Sequence, residues 1–434
     1  MSRFGILSIL TRPARTWCRH ASARLHRQFF DFWIRNRISK KLNLGRPVRA
    51  IFVIHEPRSY GALTSIIDEM GKDPRFEVII LAVHYRHGVF SDNNYHDGGA
   101  ANYFRNYKIP FKIGSDSSGN FIDLKTLSPD VVFFQTPYNQ FLFPPSYSPK
   151  IVSQFAFLAY MPYYGISLSD DEKPLTHTPS FFQYVRYAFM GSDLDCVDLR
   201  QRVVWSNGFL KVFNSGCPKF AYVLSKKYDQ TKSTWRTSGS TSFRVLWTPR
   251  WNPDEGNSHF LTYWQVLLNW AREKNNAIEF VLRPHPLMFN YLLKTRKLTE
   301  SQLAHIKDEF ALTDYTHIDE SDEYQYTFLG ADCLIADPNT SMALEFFVQD
   351  KPVVYTDSEK NNDCQFMKGL LPGYNVVHTE AEMIRQLNSL LSGEGDSAIK
   401  DYRKKAVERL MAPLKEMSCG KRAINAIVSD VISK

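Results

Sequence analysis

Two short segments of the chain carry side chains suited to binding a phosphate group. The first is Arg283-Pro284-His285-Pro286, which follows an apolar run at 280–282. The two prolines restrict the backbone and hold a guanidinium and an imidazole on a stiff turn. Arg283 could neutralise a phosphate through two hydrogen bonds, and His285 could hydrogen-bond a phosphate oxygen or move a proton. A rigid turn after a strand, with a histidine satisfied inside the protein, is the structural alternative.

The second segment is Asp337-Pro-Asn-Thr-Ser341, which follows the apolar run 333–336. Asn339, Thr340 or Ser341 could cap a following helix, and the first N–H groups of a helix attract phosphate. Glu345, one helical turn further on, could hold a ribose hydroxyl. An ordinary helix cap without a ligand explains the same residues equally well.

A further cation, Arg250, lies in Thr248-Pro-Arg-Trp251, directly after another predicted strand. Taken alone, it reads as a solvent-exposed arginine of a loop. In parallel sheets, however, ligands bind beyond the carboxyl ends of the strands. We therefore expect the three loops to meet at one sheet edge, where Arg250, Arg283, Asn339, Thr340, Ser341 and Glu345 would bind a donor and His285 would be catalytic.

The first half of the chain offers two candidates for activating an acceptor hydroxyl. His55 ends the first predicted strand and Tyr163 follows a later one. A lone histidine at a strand end more often has a structural role, and this alternative stays open for His55. The six cysteines form no CxxC pair, and neither a paired-histidine metal motif nor a glycine-rich nucleotide loop is present. The sequence therefore predicts no metal site and no cofactor.

Strand-like and helix-like stretches alternate along the chain, as in a parallel α/β sheet. The run Val48–Ile54 opens this pattern, and the polar stretch 229–242 interrupts it as a predicted linker. We predict an α/β fold of two Rossmann-like, doubly wound domains facing across a cleft. The predicted divisions are a basic helical arm (1–47), an acceptor domain (48–228), a nucleotide-donor domain (243–400) and C-terminal helices (401–434).

The net charge of +8 is concentrated at the N-terminus, where residues 1–49 contain twelve Lys or Arg and one acid, Asp31. Bulky apolar residues cluster at 29–34, and this mixture favours an anionic membrane surface over a nucleic acid. A solvated arm, or one packed on a domain, is the other alternative. No apolar stretch is long enough to span a bilayer. We therefore predict a cytoplasmic protein held on the inner face of the cell membrane, without a nucleic-acid partner.

The second half resembles the CDP-glycerol glycerophosphotransferase family, which makes teichoic-acid-type and capsule polymers in bacteria. The resemblance is carried by five segments: 215–219, 245–251, 282–286, 334–341 and 350–355. It implies a GT-B fold, His285 as the catalytic histidine, and Ser341 with Asn339 and Thr340 as the cluster that binds the donor phosphate. The family's Trp-His-Gly segment, which supplies a proposed base, is replaced at 160–165 by a stretch without histidine. The resemblance therefore does not identify the base, and His55 and Tyr163 are the candidates.

This resemblance implies transfer of glycerol phosphate, or a related polyol phosphate, from a CDP-linked donor to a glycan or lipid-linked acceptor. A GT-B glycosyltransferase that uses a nucleotide sugar for capsule or lipopolysaccharide is the first alternative. A non-catalytic adaptor at the membrane surface is the second.

Overall fold

A computed structural model of the protein describes residues 12–86, 94–170, 179–203, 209–225, 227–237, 242–321, 324–357 and 363–432. These residues group into two compact units. The first draws on Met1–Ile166, Lys173–Pro218 and Met417–Lys434, and the second on Ser167–Glu172 and Lys219–Glu416. None of the helices in the described part of the chain is both long enough and apolar enough to cross a bilayer.

The first unit is built on a seven-stranded parallel sheet with the order β3-β2-β1-β4-β5-β6-β7. Its strands are β1 Val48–Ile54, β2 Phe76–Ala82, β3 Lys112–Ile113, β4 Val131–Phe134, β5 Phe157–Tyr160, β6 Tyr187–Met190 and β7 Lys211–Asn214. Strand β1 pairs with β2 on one side and with β4 on the other. The residues 50–54 of β1 and the whole of β4 are apolar and buried, because helices and loops cover both faces of a parallel sheet.

Helices of the first unit connect successive strands or cover the faces of the sheet. They are Arg12–Asn43, Pro57–Gly61, Thr64–Lys72, Ala100–Asn106, Asn139–Leu142, Pro149–Val152, Pro179–Phe182, Asp193–Arg202 and Cys419–Ile432, with 3₁₀ turns at Leu124–Leu127 and Pro145–Tyr147. Helix Cys419–Ile432 packs on Thr64–Lys72 through Gly420, where a Cβ atom would lie 2.2 Å from the Ser65 carbonyl oxygen. The helix Cys419–Ile432 therefore belongs to the first unit, although it follows the second unit in the sequence.

The second unit is built on a six-stranded parallel sheet with the order β10-β9-β8-β11-β12-β13. Its strands are β8 Phe243–Thr248, β9 Ile278–Leu282, β10 Thr316–Ile318, β11 Cys333–Ala336, β12 Val353–Thr356 and β13 Asn375–Val377. Its helices are Pro218–Leu224, Phe260–Lys274, Met288–Lys294, Glu300–Ala311, Gln325–Gly330, Ser341–Phe347, Gln365–Lys368, Glu380–Leu391 and Lys400–Glu416, with 3₁₀ turns at Pro253–Glu255, Asn275–Ala277 and Leu371–Gly373.

Two doubly wound parallel sheets confirm the predicted α/β class with Rossmann-like domains. The predicted domain limits stay a prediction. In the structure, the chain passes from the first compact unit to the second at Pro218–Lys219 and returns to the first at Glu416–Met417. The described part of the predicted linker packs on the second unit. Trp235 is buried and donates its indole N–H to the Thr327 carbonyl, and Arg236 donates its backbone N–H to buried Glu279. Composition could not reveal this packing because the stretch is polar.

The N-terminal helix Arg12–Asn43 belongs to the core of the first unit for much of its length. Ile34 and Ile38 are buried in the same cluster as Phe52 of β1 and Ile427 of the C-terminal helix. Buried Asp130 accepts hydrogen bonds from Arg37 and Lys41. Much of the predicted basic arm is therefore packed on its own domain, and its residues 1–11 lie outside the described part of the chain.

Candidate active site

The second sheet changes its direction of winding between β8 and β11. The chain builds β9 and β10 on one side of β8 and then crosses over to build β11, β12 and β13 on the other. Doubly wound sheets bind ligands at such a switch point, beyond the carboxyl ends of the strands. Arg250 and His285 lie in the loops that follow β8 and β9, and Ser341 is the first residue of the helix that follows β11. The topology therefore brings three predicted site residues to this edge.

Asp337 is the centre of this edge. Its carboxylate is fully buried, and one oxygen accepts from the backbone N–H groups of Arg250, at 2.8 Å, and His259, at 3.1 Å. The other oxygen lies 2.9 Å from His259 Nδ1 and 2.8 Å from the Thr356 hydroxyl. One carboxylate thus ties together the ends of β8, β11 and β12 and the start of helix Phe260–Lys274.

The structure brings Arg250 into contact with the Asn339 loop. The guanidinium donates to the Asn339 carbonyl at 2.6 Å and also pairs with Glu255. Asn339 adopts a left-handed backbone conformation with φ of 59°, which asparagine tolerates better than most residues. Arg250 therefore braces the loop that carries the predicted hydroxyl cluster, and a contact between Arg250 and phosphate stays a prediction.

Thr340 is the residue that caps the helix after this loop. Its hydroxyl accepts from the Met342 N–H, and helix Ser341–Phe347 begins at the next residue. The helix has only seven residues, so its dipole alone is a weak basis for a phosphate site. Any affinity for an anion at this position must come from neighbouring side chains.

Lys219 provides a side chain of the required charge, although the sequence did not single it out as a cation of the site. Its ammonium lies 3.2 Å from the Ser341 hydroxyl and 2.8 Å from a carboxylate oxygen of Glu345. Lys219 is the last residue of the segment 215–219, and the family resemblance was the only indication that this segment has a function. No local spacing could show that it reaches a residue more than a hundred positions away.

Glu345 has a different environment from the one predicted for a ribose-binding carboxylate. It is buried, one oxygen pairs with Lys219, and the other accepts from the Tyr324 hydroxyl. Burial and the Glu345 charge raise the pKa of Tyr324 well above its ordinary value, so this phenol stays protonated. Each carboxylate oxygen has a protein partner and can still accept a further hydrogen bond, so the ribose contact stays a prediction.

Arg283 is held by an acidic partner and a backbone carbonyl of the loop that follows β10. Its guanidinium pairs with Asp319 at 2.6 Å and donates to the Ser321 carbonyl at 2.7 Å. Burial opposes ionisation of Asp319, but the Arg283 charge and the hydrogen bonds from Ser321 outweigh it and hold the pKa of Asp319 below its ordinary value. Arg283 therefore joins the ends of β9 and β10, and a contact between Arg283 and phosphate stays a prediction.

His285 is half-buried and lies beside an aromatic ring, with 6.1 Å between the ring centres of His285 and Trp251. Its Nδ1 accepts the Leu287 N–H at 3.2 Å. An accepting Nδ1 carries no proton, so the neutral ring carries its proton on Nε2. His285 is thus prepared to donate a hydrogen bond through Nε2, as contact with a phosphate oxygen requires.

The two candidates in the first unit lie at the carboxyl ends of β1 and β5. His55 is only 3% exposed and lies between Tyr85 and Phe143, whose ring centres are 4.8 and 5.7 Å away. Tyr163 is half-buried and accepts from the Tyr138 hydroxyl at 3.1 Å. Burial makes His55 a poor base for a large acceptor and supports the structural role that the sequence left open, whereas Tyr163 remains a candidate.

The described residues contain no group of three or more His, Cys, Asp or Glu side chains arranged to hold a metal ion.

His259 is the residue at the site that sequence reasoning missed altogether. It precedes helix Phe260–Lys274 without any recognisable motif, and only the fold places it against Asp337.

Residues 206–428, just over half of the chain, match the model of the CDP-Glycerol:Poly(glycerophosphate) glycerophosphotransferase family. The matched region includes Lys219, Arg250, His285 and Ser341. No curated protein sequence matches the chain.

The solved structures that are similar to the chain include three bacterial proteins. One, from Listeria monocytogenes, is described as a UDP-N-acetylglucosamine 2-epimerase (TM-score 0.57, 11% identity, covering 89% of this chain and 98% of that one). Another is the UDP-GlcNAc 2-epimerase of Neisseria meningitidis bound to UDP-GlcNAc (TM-score 0.53, 12% identity, covering 89% of this chain and 99% of that one). The third is S. aureus MnaA with UDP (TM-score 0.51, 12% identity, covering 86% of this chain and 97% of that one). At such low identity the likeness shows the fold alone, and that fold is the predicted GT-B class.

Proposed function

Because the chain belongs to the CDP-glycerol:poly(glycerophosphate) glycerophosphotransferase family and is a transferase, we propose that it transfers glycerol phosphate or a related polyol phosphate. The donor is CDP-activated, and the acceptor is a glycan or a lipid-linked precursor of a bacterial cell-surface polymer. The nucleotide binds to the second unit, at the switch point of its sheet.

The contact between Lys219 and Ser341 is the observation that carries this proposal. An ammonium group 3.2 Å from a hydroxyl, at the carboxyl edge of a doubly wound sheet, offers a charge and a hydrogen-bond donor to one phosphate. Lys219 is also held by Glu345, so it stands in place before a ligand binds. Such preplaced groups stabilise developing charge without having to reorganise.

In the proposed reaction, the acceptor oxygen bonds to the phosphorus that carries the polyol, and the bond from that phosphorus to CMP breaks. CMP leaves with the electron pair, and its phosphate gains negative charge. His285 donates a hydrogen bond from Nε2 to that phosphate, while Lys219 and Ser341 hold the diphosphate. The proton of the acceptor hydroxyl passes to a base.

Substitution of His285 by alanine tests this assignment. We expect release of CMP from CDP-glycerol to fall at least about 100-fold, the usual contribution of a proton-transferring or charge-stabilising side chain. The control is His305→Ala, which removes an exposed histidine from helix Glu300–Ala311. A His285→Ala variant that melts like the parent and releases CMP equally fast would exclude His285 as the catalytic residue.

Use of a nucleotide sugar is the second candidate function. It is favoured by the similar structures, two of which were determined with UDP-GlcNAc or UDP. The Lys219–Ser341 pair suits any nucleoside diphosphate and does not distinguish a sugar from a polyol. The preference for a polyol phosphate rests on the family.

Attachment to an anionic membrane surface completes the proposal and places the enzyme at the inner face of the cell membrane. The N-terminal helix presents four exposed apolar side chains: Leu25, Phe29, Phe32 and Trp33, each between 59% and 69% exposed. Their spacing places all four on one face of the helix. Arg37 and Lys41 pair with Asp130, so we assign the attachment to this apolar face and not to these two cations.

A further inference from the structure

We propose that His259 is the general base that takes the proton of the acceptor hydroxyl. The inference rests on the transferase function proposed for the switch-point site. It fills a gap in that function, because the family's histidine-bearing segment is absent at 160–165 and His55 is enclosed by aromatic rings.

The hydrogen bonds around His259 determine which of its ring nitrogens carries the proton. Nδ1 lies 2.9 Å from a carboxylate oxygen of Asp337 and 2.9 Å from the Thr356 hydroxyl. A carboxylate in its ionised form can only accept, so Nδ1 carries the hydrogen and donates it. The neutral ring then has its lone pair on Nε2. A buried carboxylate that fixes the tautomer of a histidine in this way also stabilises the imidazolium formed when Nε2 takes up a proton.

Nε2 of His259 has no hydrogen-bond partner among the described residues, and the side chain keeps 15% of its surface exposed. Its other contact is with the Tyr263 ring, 5.4 Å away between centres. The unused nitrogen is therefore accessible, unlike the ring of His55.

His259 also lies where the donor is expected to bind. Asp337 accepts the backbone N–H groups of both His259 and Arg250, and Arg250 in turn donates to the Asn339 carbonyl. One carboxylate therefore sets the position of the imidazole relative to the loop that ends in Ser341. The two histidines of the site have complementary tautomers, since His285 presents a donor at Nε2 and His259 presents an acceptor.

The acceptor hydroxyl gives its proton to Nε2 of His259 while its oxygen forms a bond to the β-phosphorus of the CDP-linked donor. The bond between that phosphorus and the oxygen of CMP breaks, and CMP leaves with the electron pair. The imidazolium, stabilised by Asp337, then releases the proton to solvent and the neutral base is restored.

His259→Asn separates this role from a structural one. The asparagine amide places a donor near the position of Nδ1 and can keep the hydrogen bond to Asp337, but it has no counterpart of Nε2. With CDP-glycerol as donor and concentrated glycerol as acceptor, we expect turnover to fall at least about 100-fold. The rise in melting temperature produced by CDP-glycerol should stay at the parent value. His305→Asn is the matched control and should behave like the parent.

Each outcome decides the proposal. Parent-like turnover by His259→Asn would overturn it, because a donor at the Nδ1 position would then be sufficient. If CDP-glycerol no longer raised the melting temperature of either His259→Asn or His259→Ala, the proposal would also be overturned, since the ring would then be a structural element of the donor site. Partial rescue of His259→Ala by added imidazole would support it. If the parent chain itself released no CMP from CDP-glycerol, the proposed function would fail first, and that result is distinguishable from failure of the base.

Discussion

At the scale of single residues, the site is organised by buried carboxylates that hold cations and imidazoles in place. Asp337 joins the ends of β8, β11 and β12, Glu345 holds Lys219 beside Ser341, and Asp319 holds Arg283 at the end of β9. A buried ion pair contributes little net stability by itself, but loss of one partner is costly because it leaves the other charge uncompensated. These pairs therefore serve to position groups, and we expect the donor to contact a smaller set of residues than the charged residues of the site.

The Asp319–Arg283 pair gives a stability prediction with a defined pH dependence. The pKa of Asp319 in the folded protein lies below its ordinary value of 3.8, so its contribution is complete above about pH 4 and is lost as the pH falls through the folded pKa. We expect Asp319→Asn to lower the free energy of unfolding by about 2 kcal/mol at pH 7, measured by urea denaturation.

The difference between Asp319→Asn and the parent should shrink below pH 4, where the parent carboxyl also becomes neutral. Asp314→Asn, which changes an exposed carboxyl in the same region, is the control and should match the parent at both pH values. An unchanged difference at pH 7 and at pH 3 would show that Asp319 acts through its shape and not through its charge.

At the scale of secondary-structure elements, the N-terminal helix has two different faces. Ile34 and Ile38 pack into the first unit, while Phe32 and Trp33 point away from it with about 60% of their surfaces exposed. The packed face makes deletion of the helix a poor test of membrane binding, because deletion would also remove part of a core. Substitutions on the exposed face avoid this difficulty.

We expect the double substitution Phe32→Ser and Trp33→Ser to weaken binding to anionic liposomes at least about tenfold, because each large apolar side chain that leaves water contributes about 1.5–3 kcal/mol. Co-sedimentation with vesicles rich in phosphatidylglycerol measures this effect. Leu312→Ser is the matched control, since Leu312 is 65% exposed in the second unit. Equal binding by the parent and the double variant would exclude this face as the attachment site.

At the scale of the whole molecule, two parallel sheets of similar topology each present a switch point, between β1 and β4 in the first and between β8 and β11 in the second. Only the second combines a cation, a hydroxyl and two oriented imidazoles among its described residues. This asymmetry supports a division of labour in which the second unit holds the nucleotide.

A panel of nucleotides tests the identity of the donor on the whole chain. We expect CDP-glycerol or CDP-ribitol to raise the melting temperature by several degrees at saturating concentration, since a ligand at 100 times its Kd adds about 2.7 kcal/mol of stability. UDP-GlcNAc and CMP-sugars should give smaller shifts, and Ser341→Ala should reduce the shift caused by the preferred donor. A larger shift with UDP-GlcNAc would favour the glycosyltransferase alternative.

The sequence alone determined the fold class and the loops that carry the site. Runs such as 50–54 and 280–282 are short and apolar throughout, which is the local requirement for a strand buried on both faces of a parallel sheet. The prolines around His285 and the turn before Ser341 are local as well, so their stiffness and capping could be read directly. Even the cap at Thr340 was among the residues that the pattern allowed.

The tertiary structure decided the partners of these residues. Arg283 has a carboxylate partner, Glu345 is buried, and Lys219 and His259 reach the site from distant positions. It also showed that residues 229–237 and much of the basic N-terminal helix pack on the domains. The physical reason is that a charged side chain is compensated by whatever group the fold brings beside it, and that group can lie more than a hundred residues away, where no local spacing reveals it.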